Sequence, residues 1–173
     1  MTKKPRAMEL LWAPWRIPYL KRITREKKPA PCFFCEYVPA PKKDRQNLIL
    51  LRGKTCFTVL NRFPYTGGHL LVAPLAHKGE MELLTTEERL ELFDQLLLME
   101  KTLGQVMHPQ GFNIGLNIGR AAGAGVPGHL HFHIVPRWNG DHNFMTTVAH
   151  VKIIPQALEE LHSELQKALR TVR

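Results

Sequence analysis

The sequence is poor in cysteine, in acid and in long apolar runs. Three cysteines in 173 residues is an odd number and too few for a disulfide scaffold, which excludes the small stapled secreted folds. No run approaches the roughly 20 apolar residues of a membrane span. The N-terminus is basic like a signal peptide, but Leu10-Leu11-Trp12-Ala13 is stopped by Pro14 with Arg16 close behind, too short for an apolar signal core. No internal repeat is present. A reduced, cytoplasmic protein with no membrane partner is expected. Acids number 15 against 24 Lys and Arg, a net charge of +9, and such an excess points to an anionic partner.

What is present bounds the answer further. Apolar residues make up 44% of the chain, enough for one core, and the length suits one domain with an arm. The charge is unevenly placed. Residues 1–28 hold nine bases and two acids, whereas 46–173 hold twelve bases and eleven acids. Residues 1–31 also carry Pro5, Pro14, Pro18, Pro29 and Pro31, a density that disfavours a long helix. They read as a basic, extended N-terminal arm on a nearly neutral body over 32–173. Trp12 and Trp15 in the arm are expected to pack on the body or on a second subunit.

Within the body, residues 36–47 read as a polar loop with Pro39 and Pro41. Leu48–Leu51 and Thr55–Leu60 flank Arg52-Gly53-Lys54 as a hairpin. A loop with Pro64 and Gly67-Gly68 leads to a strand at His69–Ala73. Thr85-Thr86-Glu87-Glu88 offers a capping box. Leu90, Phe93 and Leu97, with a second ridge at Leu92, Leu96, Met99 and Leu103, predict a largely buried helix over 86–107, ended by His108-Pro109. Phe112–Asn117 reads as a strand, Gly119–Gly128 as a loop, and His129–Val135 and Thr146–Ile154 as strands. Pro155 suits the first turn of a final helix whose Leu158, Leu161, Leu165, Leu169 and Val172 share a face. Together these predict an α+β fold with an antiparallel sheet.

The most informative stretch is Gly128-His129-Leu130-His131-Phe132-His133-Ile134-Val135. On a strand, alternate side chains share a face, so three imidazoles would point one way, roughly 7 Å apart, while Leu130, Phe132 and Ile134 anchor the other face. Neutral imidazole is a nucleophile, a base and a metal ligand. Such a row can attack phosphorus, pass a proton and hold anionic oxygens. A polar solvent-facing strand and a zinc site made from all three are the competing readings. The preceding Gly119–Gly125 loop suits a backbone that approaches phosphates closely.

This histidine pattern after a glycine-rich loop resembles the histidine-triad family of nucleotide hydrolases and transferases. The resemblance runs from about residue 9 to 160. It includes Asn61 with Pro64, Gly68 and His69, then Leu70-Leu71-Val72. Leu11-Trp12-Ala13-Pro14-Trp15-Arg16, Phe112–Asn117 and Pro136-Arg137-Trp138-Asn139-Gly140-Asp141 with Asn143-Phe144 are similar to the bacterial branch that includes diadenosine tetraphosphate phosphorylases. The resemblance implies a five-stranded antiparallel sheet, a central and a terminal helix, and a homodimer. It implies His131 as nucleophile on the α-phosphorus, His133 on the phosphate, and His69 as a supporting histidine. Asn61 would meet the ribose and Asn117 the phosphate, with Leu71, Gly125 and Val126 also at the nucleotide. Where the family often carries a Gln and then a Ser or Thr, this chain has Gly125 and Val126, which leave only backbone N–H groups for phosphate contact.

Cys32-Phe33-Phe34-Cys35 is half of a zinc site, a redox pair or two unlinked thiols. A redox pair usually starts a helix, which residues 36–41 are not expected to sustain. In zinc-binding members of the resembled family the two further ligands correspond to His77 and His129. That set implies a structural zinc and leaves no catalytic metal required. Cys56 lies in an apolar strand and reads as core. His108, His142, His150 and His162 read as surface or satisfied structural residues. Asp141 is a turn residue or a substrate contact.

The expected function is cleavage of a phosphoanhydride in a dinucleoside polyphosphate through a nucleotidyl-histidine intermediate, by hydrolysis or phosphorolysis. A sugar-phosphate nucleotidylyltransferase is the enzymatic alternative. A zinc-containing module that binds nucleotides or nucleic acid through the basic arm is the non-catalytic one, and it predicts a strong salt dependence. A small-molecule nucleotide is the expected partner and nucleic acid is not.

Overall fold

The computed structural model describes residues 31–141, 154 and 156–172. The arm except Pro31, the expected strand over 146–154 except Ile154, and Trp12, Trp15, His142, His150 and Pro155 lie outside them.

Five antiparallel strands form one sheet: β1 (Ile49–Arg52), β2 (Cys56–Leu60), β3 (Leu70–Pro74), β4 (Gly111–Leu116) and β5 (Phe132–Arg137), in the order β1-β2-β3-β5-β4. The helices are α1 (Phe33–Tyr37), α2 (Asp44–Asn47), α3 (Thr86–Met107) and α4 (Leu158–Val172). The five-stranded α+β expectation is met. Among the described residues no helix is long and apolar enough to cross a membrane.

Register divides the sheet into two faces. Thr58, Val72, Phe132 and Leu116 are paired across four strands and form one row. This row faces α3, where Thr58 donates to Gln95 at 2.8 Å and Phe132 meets the ring of Phe93. The next row, Val59, Leu71, His133 and Gly115, has the opposite orientation because side chains alternate along each strand. The histidine site is built on that second face.

Helix α3 starts at its expected capping box. Thr85 Oγ1 accepts from Glu88 N–H and Glu88 Oε2 accepts from Thr85 N–H. Its Leu92, Leu96, Met99 and Leu103 are buried as expected. The ridge of Leu90, Phe93 and Leu97 is not: these are 63%, 61% and 55% exposed. A helix lying on one sheet buries one stripe, so two ridges about 100° apart do not both face inward. Glu91 accepts from the N–H groups of Lys54, Thr55 and Cys56 and ties the β1–β2 turn to the helix.

The expected loop over 36–47 is largely helical. Phe33–Tyr37 is α-helix, Pro41–Lys43 a 3₁₀ turn and Asp44–Asn47 a helical turn. Tertiary packing decides this: Phe34 is fully buried against Phe57, and Pro41 occupies a first helical position where its missing N–H costs nothing. The final helix buries Leu161, Leu165 and Leu169 as expected, together with His162, whose Nε2–H donates to the Ile49 carbonyl at 2.8 Å.

Candidate active site

The histidine segment departs from a simple row. Strand β5 begins at Phe132, so among the three histidines only His133 lies within it. His129 N–H bonds to the Val126 carbonyl and Leu130 N–H to the Lys78 carbonyl, which bends the chain before pairing starts. The His131 and His133 rings are 5.0 Å apart, closer than the strand spacing predicts.

Hydrogen bonds fix the ring tautomers. The His129 carbonyl lies 2.8 Å from His131 Nδ1. A carbonyl only accepts, so His131 carries its proton on Nδ1 and a lone pair on Nε2. On the other side, Tyr65 N–H donates to His69 Nδ1 at 3.1 Å. His69 Nε2 therefore bears the proton and donates to His133 Nδ1 at 2.9 Å. That leaves His133 with Nε2–H, which is buried and without a partner among the described residues. An unpaired buried donor is expensive to keep, and here it adjoins a cleft. A nitrogen lone pair and an N–H donor thus stand on neighbouring imidazoles.

Burial keeps both rings neutral. It lowers His131, against the raising effect of the bond to the His129 carbonyl. It pushes His133 down to about 4, helped by the nearby His131.

His133 lines a cleft of about 370 Å³ with Tyr65, Asn113, Asn117, Arg137 and Asp141 among its walls. Arg137 is held by Asp141, with Nε and Nη2 on the two carboxylate oxygens, and donates from Nη1 to Asn113 Oδ1 at 2.7 Å. Leu71 and Gly115 sit directly across from His133 on the same face. A Cβ on Gly115 would meet nothing within 4 Å, so the cleft is open there. Gly68 has φ +77, and a Cβ would fall 2.5 Å from Met107 Sδ, so the turn into His69 requires glycine.

The sequence-selected nucleotide residues divide. Asn117 lines the cleft, and Leu71, buried, pairs with His133 across the sheet without lining it. Asn61 bonds the supporting histidine, with Nδ2 3.2 Å from His69 Nδ1 and Oδ1 accepting from Phe63 N–H. Gly125 and Val126 do not line this cleft; Val126 packs on the core and its carbonyl accepts from His129. Tyr65, Asn113 and Arg137 also line the cleft, without a role expected for them from the sequence. The Pro136–Asp141 segment, which carries part of the family resemblance, is the signal that could have found the Arg137–Asp141 pair.

The Cys32, Cys35, His77 and His129 ligand atoms all lie within 4.8 Å of one another. Cys32 Sγ is 3.3 Å from His129 Nδ1, and Cys35 Sγ is 3.2 Å from His77 Nδ1. His129 Nε2–H donates to the Pro74 carbonyl at 2.8 Å, which leaves the Nδ1 lone pair facing the sulfurs. A backbone carbonyl that orients a ligating imidazole is a usual feature of metal sites, and two sulfurs with two nitrogens suit tetrahedral zinc. Burial lowers His129, favouring the neutral ligand form, and pushes the Cys32 thiol up to about 11. Metal binding would displace that proton. Cys56, by contrast, is core, its thiol also pushed up to about 11 by burial.

Comparison with known proteins agrees with this geometry. The HIT domain model matches residues 42–140. An AP-4-A phosphorylase of Mycobacterium tuberculosis is 38% identical over 156 residues, 88% of this chain and 80% of that protein. An adenosine 5'-monophosphoramidase of Schizosaccharomyces pombe is 27% identical over 139 residues, 80% of this chain and 98% of that protein. Among solved structures, a zinc-bound histidine triad family protein of Mycobacterium smegmatis superposes with a TM-score of 0.66 at 27% identity, covering 84% of this chain and 97% of that one. A fold, a matched domain and a near-full-length relative agree, and the chain belongs to the HIT domain family of histidine triad proteins.

Proposed function

We propose that this protein cleaves the phosphoanhydride chain of a dinucleoside polyphosphate such as diadenosine tetraphosphate, with inorganic phosphate as the acceptor. The observation that carries the reading is the tautomer pair: a lone pair on His131 Nε2 beside an unpartnered N–H on His133 Nε2. The similarity to the mycobacterial AP-4-A phosphorylase supports the choice of substrate and acceptor.

His131 Nε2 attacks the α-phosphorus. A P–N bond forms as the bond to the bridging oxygen breaks, and ATP leaves. Phosphate then attacks the same phosphorus, the P–N bond breaks, and ADP leaves. One difficult substitution becomes two easier ones. His133 Nε2–H donates to the charged oxygens, where a preorganised donor stabilises developing charge. Asn117 meets the phosphate and Asn61 the ribose. Leu71, buried beside His133, supports the nucleotide site. Gly125 and Val126 offer only backbone N–H groups, so assistance to the leaving group falls on His133.

Cys32, Cys35, His77 and His129 would hold a structural zinc, which would supply a cross-link between the α1 segment and the sheet. Its ligand His129 would thereby be committed to orientation rather than chemistry. We further propose that the enzyme acts as a homodimer.

The test is incubation with diadenosine tetraphosphate, with and without phosphate. ADP and ATP are expected, and only with phosphate. AMP and ATP without phosphate would make the enzyme a hydrolase instead. Absence of any cleavage would overturn the reading.

A further inference from the structure

One of the two residues between the cysteines does more than space them. Phe34 is fully buried. Its ring centroid lies 4.8 Å from that of His129 and 5.0 Å from that of His131, with Phe57 at 5.9 Å. One side chain therefore touches both a ligand of the metal cluster and the histidine assigned as nucleophile.

Attack needs His131 Nε2, not Nδ1, turned to the substrate. The imidazole torsion is broad and roughly two-fold, and the single hydrogen bond to the His129 carbonyl favours one orientation by only about fivefold. Packing must supply the rest. Phe34 stands against the ring at an interplanar angle of 45°, and His133 meets it edge-on at 5.0 Å. Phe34 is itself anchored at both ends of its turn, because Cys32 and Cys35 belong to a cluster whose ligand atoms lie within 4.8 Å.

We propose that Phe34 is a positioning residue for His131: the cysteine–histidine clip fixes Phe34, and the Phe34 ring holds the imidazole with Nε2 toward the site. This rests on the assignment of His131 as nucleophile. It makes metal occupancy a condition of nucleophile orientation without placing the metal in the reaction.

The test compares zinc-loaded Phe34→Leu and Phe57→Leu with the wild type. Phe57 is equally buried and packs on Phe34, so it controls for loss of an aromatic ring from the same cluster. Phe34→Leu is expected to lower kcat roughly 10- to 100-fold with KM within about twofold, as a slight misplacement of a reacting group does. Phe57→Leu is expected to change kcat by less than about threefold. Nitrogen NMR at neutral pH is expected to show His131 in one tautomer, protonated on Nδ1, in the wild type. Averaged signals are expected in Phe34→Leu and in wild type stripped of metal by a chelator.

Wild-type His131 signals in Phe34→Leu, or an equal loss of kcat in Phe57→Leu, overturn the proposal. Unchanged His131 signals after chelation overturn the link to the clip. The NMR readout needs no turnover, so failure of the substrate assignment is not mistaken for failure of this one.

Discussion

On one side of His131 stands Phe34, fully buried and tied into a cluster of two sulfurs and two imidazoles. On the other stands His133, whose buried Nε2–H has no partner among the described residues and whose side chain lines a 370 Å³ cleft that carries amide, guanidinium and carboxylate groups. The closed side is close-packed and cross-linkable; the open side sets polar groups among apolar walls and has an unmatched donor. Close packing suits a part that must hold one geometry. An unsatisfied polar group suits a part that awaits a ligand. His131 belongs to both, with Nδ1 bonded to the chain on the closed side and Nε2 left over.

The largest effect should come from removing the residue where the two sides meet. His131→Ala is expected to lower turnover by roughly 10⁴-fold or more, as loss of a covalent nucleophile does, while nucleotide binding measured by calorimetry persists. Full activity in that variant would end the assignment.

Next in size is the closed side alone. The purified protein should carry close to one zinc per chain by elemental analysis. His77→Ala should lose it, at a stability cost of about 4 kcal/mol if the metal normally stands at 1,000 times its dissociation constant. Elemental analysis finding no zinc, with the unfolding midpoint of His77→Ala unchanged, would remove the distinction between the two sides.

The smallest effect concerns acid and the open side. Burial, then the neighbouring His131, pushes His133 to about 4, below the ordinary histidine value of about 6.5. Between these values the unfolded chain binds the extra proton. The contribution of neutral His133 is therefore complete above about pH 6.5 and is lost as pH falls toward 4. Denaturant midpoints across that range should fall less steeply in His133→Asn than in wild type. Parallel curves would mean that His133 is not desolvated as its surroundings indicate.

Much of the fold was legible because it rests on local rules. The capping box at Thr85 and Glu88 and the apolar ridge from Leu92 to Leu103 placed α3 at its observed bounds. Period-two runs placed β1 to β4 to within one residue, and β5 starts three residues later than expected. The failures share one cause. Phe33–Tyr37 is helical because Phe34 has a distant core to enter, and residues 36–41 carry no signal of that. Leu90, Phe93 and Leu97 have helical spacing but no layer covering them among the described residues, and spacing does not reveal how many layers a fold has. Strand β5 starts late because His129 is recruited by residues 52–97 positions away.

The same division holds for the site. The alternation of histidines in 129–133, the Cys-x-x-Cys and the glycine-rich loop were present in the order of residues alone, because chemistry needs those side-chain types at those spacings. Which histidine does what was not. His129 and His131 are the same residue two positions apart, and only the fold gives one the Pro74 carbonyl and two sulfurs, the other the His129 carbonyl and the face of Phe34. An imidazole has two nitrogens and one proton when neutral. The sequence determined that imidazoles would be there, and the tertiary hydrogen bonds decided where each proton sits.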